Sequence, residues 1–118
     1  MIWTVDPTAP EPLYAQLAAQ VHVALSHGDL STGDRLPSAR ELADSLDLNI
    51  HTVLHAFQQL RDEGVIELRR GRGAVVTAAR PPGMAEVKTA LDTYVEAGRA
   101  AGLPAQALIT LVKEALRS

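Results

Sequence analysis

The chain contains no cysteine, which excludes a disulfide framework, a thiolate metal site and a catalytic thiol. Aromatic residues make up 3% of its 118 positions, too few for a platform on which unpaired bases stack in single-strand or RNA readers. No apolar run nears the roughly 20 residues of a membrane-crossing helix. The opening MIWTVDPTAPEP lacks the basic-then-apolar pattern of a secretory signal, so a cytoplasmic chain with no membrane partner is expected. No nucleophile–base–orienter set is visible, which argues against an enzyme, and nothing in the chain asks for a cofactor. Positive charge is also scarce. Eleven Lys and Arg face fourteen Asp and Glu, a formal net charge of −3, which argues mildly against a nucleic-acid partner.

The distribution of charge reverses that argument locally. Asp6, Glu11, Asp29 and Asp34 precede the first basic residue, Arg35, whereas Arg69, Arg70, Arg72 and Arg80 follow one another with no acid among them. Phosphates respond to the nearby field, so an acidic protein with a basic hairpin can still hold DNA. Hydrophobic residues reach 47%, which excludes a disordered chain. A chain this short has little surplus core, and oligomerisation is a natural way to bury more apolar surface.

Met1–Pro10 reads as an extended lead-in, with Pro7 and Pro10 blocking helix. A helical period begins at Pro12, which suits a first turn. Leu13, Leu17, Val21, Ala24 and Leu25 fall on one stripe and Gly28 stops it. Leu30–Leu36 is a loop or short strand. Ser38 and Glu41 make the Ser-x-x-Glu signature of a capped helix start, with Leu42 and Leu46 buried. Asp47-Leu48 turns, and Asn49 caps a third helix. There Val53, Ala56, Phe57 and Leu60 face inward, and Ile50, His51, Leu54, His55 and Gln58 face outward. Gly64 ends it. Ile66 and Leu68 alternate with Glu67 and Arg69 as in a half-buried strand, Gly71-Arg72-Gly73 turns, and Ala74–Thr77 returns.

Two short helices followed by a tight basic hairpin are the layout of a protein that inserts one helix into a DNA major groove and lays a wing beside it. A charge run is most often a solvated face. Here arginines surround Gly-x-Gly directly after the helical pair, and phosphate or minor-groove contact is the reading preferred for Arg70 and Arg72. Arg69 is the weakest of the three, because its strand position suits pairing with Glu67 or Glu63. His51 and His55 have metal-ligand spacing, but the Glu of H-E-x-x-H and a third ligand are missing, so no metal site is assigned. His22 and His27 are read as surface or partner contacts.

The run PLYAQLAAQVHVALSHGDLSTGDRLPSARELADSLDLNIHTVLHAFQQLRDEGVIELRRGRGAVV resembles the winged helix-turn-helix domain of GntR-family bacterial transcriptional regulators. PLY, G-x-L-x-x-G-x-x-LPS-x-REL, TV-x-x-A, L-x-x-EG and G-x-G occur in order within Glu11–Thr77. The short tail resembles that of the YtrA subfamily, whose members lack a large ligand-binding domain. The resemblance implies a homodimeric repressor on a palindromic double-stranded operator. By matching positions it implies DNA contact by Arg40, Asn49, Ile50, His51, Thr52, Arg70 and Gly71. Ser38 at a helix start, Leu54 and His55 on the outward face and Arg72 in the wing join them as DNA-contact candidates from their own places in the chain. Many family members carry arginine at the position of Ile50 or of Leu54. Both are apolar here, so guanine readout by a bidentate arginine does not carry over, and a thymine methyl suits them better.

The expected architecture is mainly α with a small β-hairpin wing: a winged helix-turn-helix domain over residues 1–77, a linker over 78–83 rich in Pro, and a two-helix dimerisation tail over 84–118. In the tail Val87, Leu91, Tyr94, Val95 and Gly98 form one stripe, Gly102 stops the first helix, and Leu108, Ile109, Leu111, Val112 and Leu116 nearly encircle the second. Two other readings stay open at this point. One adds an unknown small-molecule or metal effector at the dimer tail. The other is a winged-helix module for protein contacts alone.

Overall fold

The computed structural model describes residues 1–71, 73–79 and 81–118. Its elements are α1 (Leu13–His27), α2 (Ala39–Leu46), α3 (Ile50–Asp62), β1 (Ile66–Arg69), β2 (Gly73–Val76), α4 (Met84–Ala100) and α5 (Ala105–Leu116). They fall into two compact units, Met1–Pro81 and Pro82–Ser118.

In the first unit α3 is central and packs against α1 and α2. The apolar stripe read from its sequence explains why. Val53, Ala56, Phe57 and Leu60 are buried and join Leu17, Val21 and Leu25 of α1 and Leu42 of α2 in one core. Each large aliphatic side chain removed from water contributes about 1.5–3 kcal/mol. Pro12 stands just outside α1 as its N-cap, with extended ψ, and its carbonyl accepts from the Gln16 N–H at 3.1 Å. Ser38 and Asn49 cap α2 and α3. The Ser38 hydroxyl accepts from Glu41 N at 3.1 Å, and Asn49 Oδ1 accepts from His51 N at 2.8 Å. Between these two helices Asp47 takes the left-handed region at φ 53°, a conformation that Asp and Asn tolerate better than most residues. That single residue makes the turn short enough for α2 and α3 to cross in contact.

The extended lead-in is not loose. Two glutamines of α1 tie it down by its backbone. Asp6 N donates to Gln16 Oε1 at 2.8 Å, Gln16 Nε2 donates to the Asp6 and Glu11 carbonyls, and Gln20 pairs with both backbone groups of Thr4. Trp3 and Val5 thereby pack against the core. The Thr8 hydroxyl and N–H both donate to Asp6 Oδ1, at 2.6 and 2.9 Å. These bonds hold the Asp6 carboxyl below its ordinary pKa.

The hairpin pairs Ile66 with Val76, Glu67 with Val75, Leu68 with Ala74 and Arg69 with Gly73. Burial departs from the alternation expected of the first strand and is continuous along most of the second. Ile66 is buried, but Leu68 is 45% exposed, although its cross-strand partner Ala74 is buried. Conversely Ala74, Val75 and Val76 are buried in succession. The return strand lies between two neighbours. On its far side Gly33 N donates to Val76 O, Val76 N to Asp34 O, and Leu36 N to Ala74 O, all at 2.8–2.9 Å, with Arg35 bridged to Val75. The segment read as loop or short strand therefore supplies a third edge to the wing.

In the second unit α4 and α5 form a hairpin. The chain turns at Gly102, and Leu103 N donates back to Gly98 O at 3.0 Å. Tyr94 Oη donates to the Leu108 carbonyl at 2.7 Å. A Cβ placed on Gly98 would stand 2.3 Å from Leu108 Cδ2, so glycine is what lets α5 approach.

Candidate nucleic-acid interface

The start of α2, the middle of α3 and the wing come together on one side of the first unit. A shallow, mostly apolar groove lies among them, with Ser38 and Ala39 from α2, Leu54 and Phe57 from α3, and Leu68, Arg70 and Ala74 from the wing in its lining. The residues read from the sequence are not equivalent there. Ser38 and Asn49 are exposed, yet each has committed an oxygen to its helix cap. The Asn49 amide NH2 remains a free donor by chemistry. Arg40 is exposed in the first turn of α2, and among the described residues it forms no ion pair with Glu41 or Asp44. His51 is exposed and Thr52 half-buried, with Thr52 N bonded to the Asn49 carbonyl at 3.0 Å.

Two positions of α3 differ from the outward-facing reading. Ile50 is half-buried and packs against the core, because at the first position of the helix its side chain leans toward the turn below. Only Leu54, 38% exposed, offers a free apolar surface. His55 is exposed but engaged: its ring stacks on Tyr14 of α1, centroids 3.7 Å apart and planes 17° from parallel. Tyr14 had no place among the candidate residues, although it stands in the PLY motif. Period alone marks a position on α1, not the residue of α3 that it meets. On the wing Arg70 is exposed, Gly71 turns at φ 79°, and Arg72 lies outside the described residues, as does Arg80. Arg69 is paired with Glu67, its Nε and Nη2 each 2.9 Å from Glu67 Oε2. Away from this side, His22 Nε2 lies 3.0 Å from Glu63 Oε1 and links α1 to the end of α3.

Among the described residues no helix is long and apolar enough to cross a membrane, and no three His, Cys, Asp or Glu side chains cluster as a metal site would require. Chemically, the arrangement presents cations at its wing, hydrogen-bond donors at two helix starts and an apolar surface between them.

In the tail the candidate dimer residues divide. Gly98 is buried, and Tyr94, Val95 and Leu108 are half-buried. Gly98, Tyr94 and Leu108 owe this to the α4–α5 hairpin itself. Val87, Leu91, Ile109, Leu111, Val112 and Leu116 are 43–80% exposed.

Known proteins resemble this chain over most of its length. Residues 13–76 match the family described as bacterial regulatory proteins, gntR family. The HTH-type transcriptional repressor YtrA of Bacillus subtilis (strain 168) is 32% identical over 115 residues, spanning 93% of this chain and 88% of the repressor. The structure of YtrA from Sulfolobus acidocaldarius, a GntR-family transcription factor, superposes with a TM-score of 0.60 at 32% identity, covering 79% of this chain and 96% of that one. The AraR DNA-binding domain, solved in complex with operator ORX1, shares the fold with a TM-score of 0.56 at 22% identity, covering 64% of this chain and 93% of that one.

Proposed function

As a member of the GntR family of bacterial regulatory proteins, to which it belongs, this chain is a transcriptional regulator, and we propose that it acts as a homodimeric repressor on a palindromic operator. The observation that carries the reading is the convergence of Ser38, Leu54 and Arg70 on one groove. A helix cap, a helix face and a wing from three separate segments meet where a duplex backbone would pass between major-groove helix and wing. The AraR DNA-binding domain, which shares the fold, was solved with an operator bound, and this supports a DNA-binding role for the first unit. Residues 1–77 are assigned to DNA and residues 84–118 to dimerisation.

Within that reading the side chains take different tasks. Arg40, Arg70 and Arg72 serve phosphates or the minor groove, Gly71 lets the wing approach closely, and Ser38 and Thr52 stand where helix-start N–H groups meet the backbone. His51 and Asn49 read base edges. Leu54, rather than Ile50, is the partner for a thymine methyl, since Ile50 is already held by the core. His55 contributes by fixing α3 against α1.

The dimer follows from the tail. Among the described residues of the second unit Gly98 alone is buried, while seven large aliphatic side chains are at least 40% exposed. Isolated, so thin a helical hairpin leaves too much apolar surface in water. Selection of duplexes bound by the full chain from a random pool tests the function. The expected outcome is an enriched inverted repeat, its half-sites about one helical turn or a multiple apart. A pool that stays random after repeated rounds would refute sequence-specific binding.

A further inference from the structure

The two neighbouring arginines at the end of the first wing strand differ in what they can do. Glu67 and Arg69 are two residues apart on β1 and so share a face. Arg69 gives both Nε and Nη2 to Glu67 Oε2, each at 2.9 Å. The cross-strand partner of Arg69 is Gly73, which has no side chain to hold it, so Glu67 fixes the guanidinium. Arg70, the next residue, forms no ion pair among the described residues. Glu67 and Arg69 side chains remain 58% and 43% exposed. The pair is therefore open to solvent and to an approaching polyanion, not locked in the fold.

We infer that Glu67 is a brake on sequence-independent DNA binding: it occupies Arg69 and keeps that cation from neutralising a phosphate. The inference rests on the DNA-binding reading above. On random duplex nearly all affinity comes from phosphates neutralised and counterions released, so one withheld arginine lowers it directly. A chain with a net charge of −3 already has weak long-range attraction to DNA, and the wing is where arginines gather in its sequence. Holding one arginine in reserve there limits the time spent on the excess of non-cognate sites, which is the quantity that sets occupancy of an operator.

The test is anisotropy of a labelled random-sequence duplex titrated with the full chain between 50 and 200 mM salt. Glu67→Gln is expected to steepen the slope of log affinity against log salt by about 0.9, the value for one further phosphate contact. The affinity lost between the two salt concentrations then grows by about 3.5-fold. In an Arg69→Gln background the same substitution should leave the slope where it was. An unchanged slope for Glu67→Gln alone overturns the inference. So does a full effect that persists without Arg69, since Glu67 would then act on the phosphates itself. Absence of any salt-dependent binding by the parent chain would remove the DNA-binding reading and this inference together, so failure of the brake alone is recognisable.

Discussion

At the scale of single residues, the outer face of α3 is less free than its polarity suggests. Of five side chains that period places outward, Ile50 is drawn into the core and His55 is stacked on Tyr14. That leaves His51, Leu54 and Gln58 to meet a ligand directly. An aromatic pair in this geometry contributes about 0.5–1.5 kcal/mol beyond the area it covers, and Tyr14 also covers part of the core. Tyr14→Ala is accordingly expected to lower stability by about 2 kcal/mol in urea unfolding. Tyr14→Phe, which keeps the ring, should stay within about 0.5 kcal/mol of the parent. An alanine variant as stable as the parent would show that the stack does not hold α3.

Among the elements, the α4–α5 hairpin depends on one close approach. Gly98 costs its helix about 1 kcal/mol relative to alanine, yet a methyl there would collide with Leu108 at 2.3 Å. Overpacking costs about 1–3 kcal/mol, so the collision outweighs the gain in propensity. Gly98→Ala is expected to destabilise the chain by about 1 kcal/mol net. In a Leu108→Ala background the space is open, and the same change should stabilise by up to about 1 kcal/mol. Thermal unfolding at matched protomer concentration, which removes the dependence on association, would show the reversal of sign. The same sign in both backgrounds would mean that Leu108 moves aside at no cost.

For the whole molecule, the division of labour is visible in where burial falls. Every residue of the main core lies between Leu17 and Val76, and Ala78 still packs against it. A chain ending at Pro81 therefore keeps its core entire. It is expected to fold as a monomer, with a sedimentation coefficient independent of concentration, while the full chain sediments as a dimer. Dimerisation by the truncated chain would move the interface to the first unit, where Met1, Ile2 and Val23 are also exposed.

Much of this protein is legible from local chemistry alone. The helix stripes, the caps at Ser38 and Asn49, the turn at Asp47-Leu48 and the wing at Gly71 all rest on interactions within a few residues, so sequence spacing determines them. Order and spacing of those pieces also carry the family. What spacing could not supply are pairings between segments far apart in the chain. The Gly33–Leu36 edge on the return strand, the glutamines of α1 clasping the N-terminal arm, Tyr14 against His55 and Leu108 over Gly98 are examples. Each brings together groups whose local patterns are complete without the other, and only the packing of whole elements decides that they meet. Exposure of Leu68 belongs with these, because alternation along a strand says which face a side chain takes, whereas the packing of other elements decides how much of it is covered.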